Sequence, residues 1–303
     1  MSEFLIIFAI MQILDGKLVS QSVKDDLKSK VEFNNKKSIR PPHLAAVLVG
    51  HNGASETYIA SKIKNCEEIG FTSSIQRFDE NIDESILIEA IQNMNNNDEI
   101  DGILVQLPLP KQISEQRIIE LITPEKDVDG LHPINTGKLI QGLPTFIPAT
   151  PYGIMLMLEH YNIETSGKHA VVIGRSNIVG RPISILLSQA RKHGNCTVTI
   201  CHSKSNLLKE ICLQADIIVA AIGIPDFVTA DMVKENAIVI DVGITRVKDI
   251  SKKSGFSIKG DVAFDEVSNK TSYITPVPGG VGLMTIAALL KNTYNAYLQR
   301  ISL

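Results

Sequence analysis

Tyr58 and Lys62 stand four residues apart in the segment Ser55–Ile69, where Ile59, Ile63 and Cys66 recur at helical spacing and Gly70 marks a stop. That spacing puts the phenol and the amine on one face of the predicted helix, with Asn65 one turn further on and the apolar stripe to the side. A lysine held beside a phenol in a cleft loses hydration, and its pKa falls toward the range where an amine can carry protons near neutrality. A plain solvated helix face fits the same residues, so the pair alone does not decide. Gln106 follows the apolar run Gly102–Val105 directly, which places it at the carboxyl end of a strand, where open α/β sheets bind ligands. Asp127 and Asp129 lie in the turn-rich loop Pro124-Glu-Lys-Asp-Val-Asp-Gly130, and either carboxylate has a second use as a turn cap.

A different chemistry is suggested by Gly174-Arg-Ser-Asn-Ile-Val-Gly180-Arg-Pro182, which sits between the apolar strand His169–Ile173 and an amphipathic helix over Ile183–Ala190. A turn in that setting offers backbone N–H groups to a pyrophosphate. It is neither the full dinucleotide fingerprint, since Ser176 takes the middle glycine position, nor a Walker loop, since no Lys-Ser/Thr follows. The next strand, Thr197–Cys201, runs into His202-Ser-Lys-Ser205, where an NAD site usually carries an acidic residue. Arg175, Ser203 and Lys204 suit a 2′-phosphate instead, which favours NADP, with ordinary loop polarity as the other reading.

The elements that must position these groups alternate along the chain. Strands are expected at Leu44–Val49, Ser73–Phe78, Gly102–Gln106, Ile217–Ala221 and Ala237–Val242, and helices at Glu84–Met94 and Ser114–Ile122. Such alternation predicts an α/β fold, with mostly parallel sheet covered by helices on both faces. The proline-punctuated stretch Leu143–Pro151 is expected to join two domains. A final helix is expected from about Leu283, with Leu283, Ala287, Leu290 and Tyr294 as its apolar face. The 303 residues are 44% hydrophobic and 21% charged with a net charge of −3, a balance that gives no footprint for nucleic acid. The cysteines (Cys66, Cys196, Cys201 and Cys212) form no C-x-x-C and no zinc spacing, so no metal is expected, and four free thiols fit a reducing cytoplasm. The apolar run Phe4–Met11 is too short for a bilayer, which takes about 20 residues, and lacks the flanks of a signal peptide. Residues 1–10 are read as an extension outside the fold, and no membrane partner is expected.

Six stretches, in order, resemble one family: the bifunctional methylenetetrahydrofolate dehydrogenase/methenyltetrahydrofolate cyclohydrolases, often called FolD. They are Val49–Lys62, Val105-Gln-Leu-Pro-Leu-Pro110, Pro124–Gly130, Gly174–Pro182, Asp241-Val-Gly-Ile244 and Pro276-Val-Pro-Gly-Gly-Val-Gly282. The resemblance implies an N-terminal α/β catalytic domain over 1–150 and a Rossmann-type doubly wound NADP domain over 151–277. Residues 278–303 would form a loop and a C-terminal helix returning to the first domain, with the active site in the cleft between domains and a homodimer as the assembly. Lys62 matches the catalytic lysine, Tyr58 packs on the folate ring, Gln106 partners Lys62, and Asp129 hydrogen-bonds the pterin. Val105, Leu107, Pro278, Gly279, Gly280, Val281 and Gly282 match the substrate side, and Gly174, Arg175, Ser176, Ser203 and Ile244 match cofactor contacts. Leu283 departs from the pattern, since relatives often carry proline there, which presets φ in a first helical turn. The chain ends where the family's short form ends, so no formate-activating domain is expected.

The implied chemistry has two steps on tetrahydrofolate derivatives, within one-carbon metabolism that serves purine, methionine and histidine synthesis. A hydride passes from 5,10-methylenetetrahydrofolate to NADP+, and water then opens the methenyl product to 10-formyltetrahydrofolate, with Lys62 moving the proton. Two rivals stand beside it: a dehydrogenase without hydrolysis, and a dinucleotide sensor without turnover. The short-chain dehydrogenases, which also use Tyr-x-x-x-Lys, place that pair after the glycine turn in the same domain; here it lies far before it.

Overall fold

The computed structural model describes residues 11–51, 53–252 and 255–301; the proposed extension over residues 1–10 lies outside them. In chain order, β1 (Gln12–Ile13), α1 (Gly16–Lys36), β2 (His43–Val49), α2 (Gly53–Glu68), β3 (Thr72–Phe78), α3 (Glu84–Asn95) and β4 (Gly102–Val105) come first. Helices α4 (Glu115–Leu121), α5 (Pro133–Ile140) and α6 (Ala149–His160) follow. The later half runs β5 (His169–Ile173), α7 (Gly180–Ser188), β6 (Thr197–Cys201), α8 (Leu208–Cys212), β7 (Ile217–Ala220) and β8 (Ala237–Asp241). It closes with β9 (Thr245–Lys248), β10 (Phe256–Lys259), α9 (Phe264–Val267), β11 (Thr271–Ile274) and α10 (Val281–Ile301). Two compact units result: Ser20–Gly153 with the segment from Thr285 onward, and Ile154–Met284 with the segment through Val19.

The first unit is built on a three-stranded parallel sheet in the order β3-β2-β4. Its central strand β2 is buried from Leu44 to Val49, which is why it reads as one unbroken apolar run rather than an alternation. Leu87, Ile91 and Met94, at i, i+4 and i+7 of α3, close over β2 and β4. Each such side chain contributes roughly 1.5–3 kcal/mol by leaving water.

The loop after α4 is tied down by Lys126, which is only 2% exposed. Its ammonium donates to the carbonyls of Met94 (3.0 Å), Asn95 (2.8 Å) and Asn97 (2.7 Å), groups left over at the end of α3. Burial, and after it the Arg300 charge, pulls its pKa down to about 8, so it stays protonated at neutral pH. Asn95 completes the join, donating to Leu121 O and accepting from Thr123 N.

The second unit carries a six-stranded parallel sheet in the order β1-β11-β8-β7-β5-β6. Connections from β5 go one way to β6 and the chain then returns to β7 on the other side, so the order reverses between β5 and β7. Val171, Ile173, Ile218, Ala220 and Val239 form the core on one face. An antiparallel hairpin, β9 with β10, follows Ile244.

Several elements depart from the sequence reading. Ile13 pairs beside Ile274, so the first strand extends the sheet of the later block. Helix α1 was not anticipated, although Val19, Val23, Leu27 and Val31 recur every fourth residue and Asp15 accepts from Lys17 N and Leu18 N at its start. The supposed linker Leu143–Pro151 runs into α6, because proline in a first turn removes an N–H that has no helical acceptor. Leu283 is 38% exposed and drops out of the apolar face of α10, while Ala287, Leu290 and Tyr294 are buried. Among the described residues no helix is long and apolar enough to cross a membrane.

Replacing Lys126 by methionine removes its three hydrogen bonds to the end of α3, and the unfolding free energy should drop by about 2–4 kcal/mol. Urea denaturation of the variant measures this; a change below about 0.5 kcal/mol would mean the lysine does not hold the loop to α3.

Candidate active site

On α2 the apolar face seats Ile59 and Cys66, both fully buried, against the sheet. One helix face round from them, Lys62 is 6% exposed, and its Nζ donates to Gln106 Oε1 at 3.2 Å. Gln106 cannot turn its amide the other way without losing a bond, because its Nε2 donates to Leu107 O at 2.8 Å. The same Nζ lies 5.4 Å from the centre of the Tyr58 ring, in cation–π range. Asn65, expected on the same face, is engaged elsewhere: it accepts from Lys24 Nζ and donates to Ser61 O.

Two opposing effects set the charge state of this cluster. Burial pushes the Lys62 amine below the usual lysine range, and the Asp129 charge pulls it partly back. Burial likewise raises the Asp129 carboxyl, against the attraction of Lys62. Tyr58 is raised by burial and by Asp129, with a hydrogen bond to the Thr285 side chain working against both, so it stays a neutral phenol. Thr285 is shared with Thr150 at 2.9 Å. The arrangement presents a partly desolvated amine able to give and take protons, beside a flat ring face and an acceptor carboxylate.

The two aspartates sit in different surroundings. Asp127 is the turn cap, accepting from Leu131 N (3.2 Å), His132 N (2.8 Å) and Asn135 Nδ2 (2.8 Å), and burial lifts its pKa to about 6. Asp129 instead interacts electrostatically with Lys62. Its loop is clamped by Asn292 of α10, which the sequence reading missed: the Asn292 amide donates to Val128 O (2.9 Å) and Ile147 O (2.8 Å). A buried asparagine in an apolar helix stripe was the available signal. Val105 is 6% exposed and belongs to the core, whereas Leu107 is half-buried.

The second unit places the nucleotide candidates at the carboxyl end of its sheet. Gly174 has φ +123, and a Cβ there would stand 2.2 Å from Ala221 O; a Cβ at Gly180 would meet Gly174 O at 2.3 Å. Only glycines allow this turn to close at the start of α7. Ser176 Oγ accepts from Val179 N and Gly180 N, so the middle position acts as a helix cap. Arg175, Ser203 and Lys204 are exposed at the ends of β5 and β6, where no carboxylate follows the strand. Ile244 packs against Gly282, whose Cβ would meet Ile244 Cδ1 at 2.8 Å. Pro278 is exposed, Gly279 half-buried, and Gly280 and Val281 buried.

Two family models divide the chain between them. The tetrahydrofolate dehydrogenase/cyclohydrolase catalytic domain matches residues 14–129, and the NAD(P)-binding domain of the same family matches residues 148–301. The chain belongs to the tetrahydrofolate dehydrogenase/cyclohydrolase family. Among its relatives, the bifunctional protein FolD of Porphyromonas gingivalis is 57% identical over 282 residues, covering 93% of this chain and 95% of that protein. That of Cytophaga hutchinsonii is 57% identical over 286 residues, covering 94% and 99%. Of solved structures, the bifunctional FolD enzyme from Campylobacter jejuni superimposes with TM-score 0.90 at 49% identity, covering 96% of this chain and 99% of that one. The Trypanosoma brucei dehydrogenase-cyclohydrolase, solved with NADP and an inhibitor, gives TM-score 0.91 at 34% identity, covering 97% and 99%.

If Asn292 clamps the Asp129 loop, Asn292→Leu should fold with about 2 kcal/mol less stability and release the loop. Hydrogen exchange checks it: amides from Val128 to Gly130 should exchange at least about tenfold faster, and unchanged protection would remove the clamp.

Proposed function

We infer that the protein oxidises 5,10-methylenetetrahydrofolate to the methenyl form with NADP+ and then hydrolyses it to 10-formyltetrahydrofolate, with Lys62 as the proton carrier. Family membership over both halves of the chain supports the two activities. The single observation that carries the residue assignment is the buried Lys62 amine, hydrogen-bonded to Gln106 and charge-coupled to Asp129.

The residues at the carboxyl end of β5 fit NADP: a turn that only glycine can close, with Arg175, Ser203 and Lys204 supplying cations and a hydroxyl for a 2′-phosphate. When bound, NADP+ supplies the acceptor for the hydride. The folate nitrogens stabilise the cation left behind, so oxidation asks the protein mainly for alignment. The Tyr58 ring offers a flat apolar surface to a pterin, and Asp129 an acceptor for its N–H groups. In hydrolysis, Lys62 takes the proton that water gives up as it attacks the methenyl carbon. It returns that proton to the folate nitrogen as the carbon–nitrogen bond breaks, and the hydroxyl proton leaves as the formyl group forms. Gln106 accepts from the ammonium and keeps Nζ aimed while its charge changes.

The catalytic domain is assigned to Ser20–Gly153 with α10, and the cofactor domain to the unit that holds β5 to β11, with Pro278–Gly282 on the substrate side. The protein is read as a cytoplasmic homodimer without a nucleic-acid partner. The open edge β6, where Ile200 is 41% exposed, and the net charge of −3 support this.

Lys62→Met tests the assignment in an assay that follows methenyl formation and its decay, with NADP+ and then NAD+. Hydrolysis should fall by at least about a hundredfold while folate still binds. Near-normal hydrolysis would remove Lys62 from the mechanism, and wild-type decay at the spontaneous rate would leave a dehydrogenase alone.

A further inference from the structure

The side chains assigned to the cofactor are exposed, and their usefulness depends on backbone held beneath them. At the carboxyl end of the sheet that backbone converges on one carboxylate, Asp261, which is fully buried. Its Oδ2 accepts from Ile222 N (2.7 Å) and Gly223 N (3.0 Å), in the loop after β7. Its Oδ1 lies against the loop after β8, since a Cβ on Gly243 would stand 2.3 Å from it. Asp241, the last residue of β8, fixes Asp261 in turn: its carboxylate accepts from Asp261 N (2.8 Å), Val262 N (3.0 Å) and Gly243 N (2.9 Å). Thr275 Oγ1 accepts from Asp241 N at 2.7 Å.

Among the described residues Asp261 Oδ1 has no hydrogen-bond partner. A buried carboxylate with an idle oxygen, packed beside a second carboxylate, costs free energy that packing alone gives no reason to spend. Its position supplies the reason. A dinucleotide crosses a doubly wound sheet where the strand order reverses, its two halves falling on opposite sides of that point. Arg175 and Ser203 put the 2′-phosphate on the β5–β6 side, so the nicotinamide half falls over β7 and β8. There Ala221 O already touches the Gly174 turn, and Ile222 and Gly223 follow directly.

We propose that Asp261 is a positioning residue for hydride transfer, fixing the Ile222–Gly223 backbone beside the nicotinamide seat while Asp241 holds Asp261 in place. The proposal rests on the assignment of NADP to the carboxyl end of β5.

The test compares both activities of the full-length protein. Asp261→Ala should lower dehydrogenase kcat at saturating NADP+ by about tenfold or more, while hydrolysis of added methenyltetrahydrofolate changes by less than about twofold. Asp261→Asn keeps an oxygen for the same two N–H groups and should recover dehydrogenase kcat to within about threefold of wild type. Parallel loss of both activities, as from a smaller folded fraction, overturns the proposal, as does an unchanged dehydrogenase. Should Asp261→Ala not fold, Asp261→Ser, with a single shorter acceptor, is read by the same comparison. NADP+ titration of Arg175→Ala separates the underlying assignment: unaltered affinity removes the cofactor site itself, whereas weakened affinity with parallel losses at Asp261 removes only the positioning role.

Discussion

The withdrawal of one amine from water governs the rest of the first unit. An ammonium at Lys62 in solvent would titrate far from neutrality and serve only as a charge. Carried on α2 and held against Gln106, it pays a desolvation cost that lowers its proton affinity, and Asp129 limits how far that goes. Neither partner suffices alone. Without burial the amine is too basic, and without the carboxylate it is a buried group with no counter-charge.

That balance needs the carboxylate loop to be placed well, and the fold spends several buried polar groups on it. Asp127 caps the turn from within, Lys126 fastens its base to the end of α3, and Asn292 grips the carbonyl of Val128 from α10. A displacement of about 1 Å would change both the coupling and the alignment that the chemistry requires. The second unit repeats the strategy: buried carboxylates at Asp241 and Asp261 hold backbone loops.

Much of this was legible in the sequence because the groups lie on elements with strong local signals. The run Leu44–Val49 and the strand His169–Ile173 announce parallel strands, and the turn at Gly174 lies between strand and helix as read. Tyr58, Lys62 and Gln106 fall where helix spacing and strand ends put them. What escaped was set by distant contacts. The choice between Asp127 and Asp129 depends on which backbone N–H groups converge on the loop, and the roles of Asn292 and Thr285 depend on a helix far along the chain. Helix α1 was missed although its fourfold spacing is visible, since its many lysines and aspartates dilute the apolar face. Leu283 fits the helical period yet faces outward, while Val281 and Met284 in the same first turn of α10 are buried.

The most direct test is an NMR titration of the lysine side-chain signals, with Lys62 assigned by substitution. The account predicts that Lys62 titrates below the ordinary lysine range, and that Asp129→Asn lowers it further by removing the charge that favours the ammonium. A Lys62 signal that titrates in the ordinary range, or one that rises when Asp129 is neutralised, would contradict it.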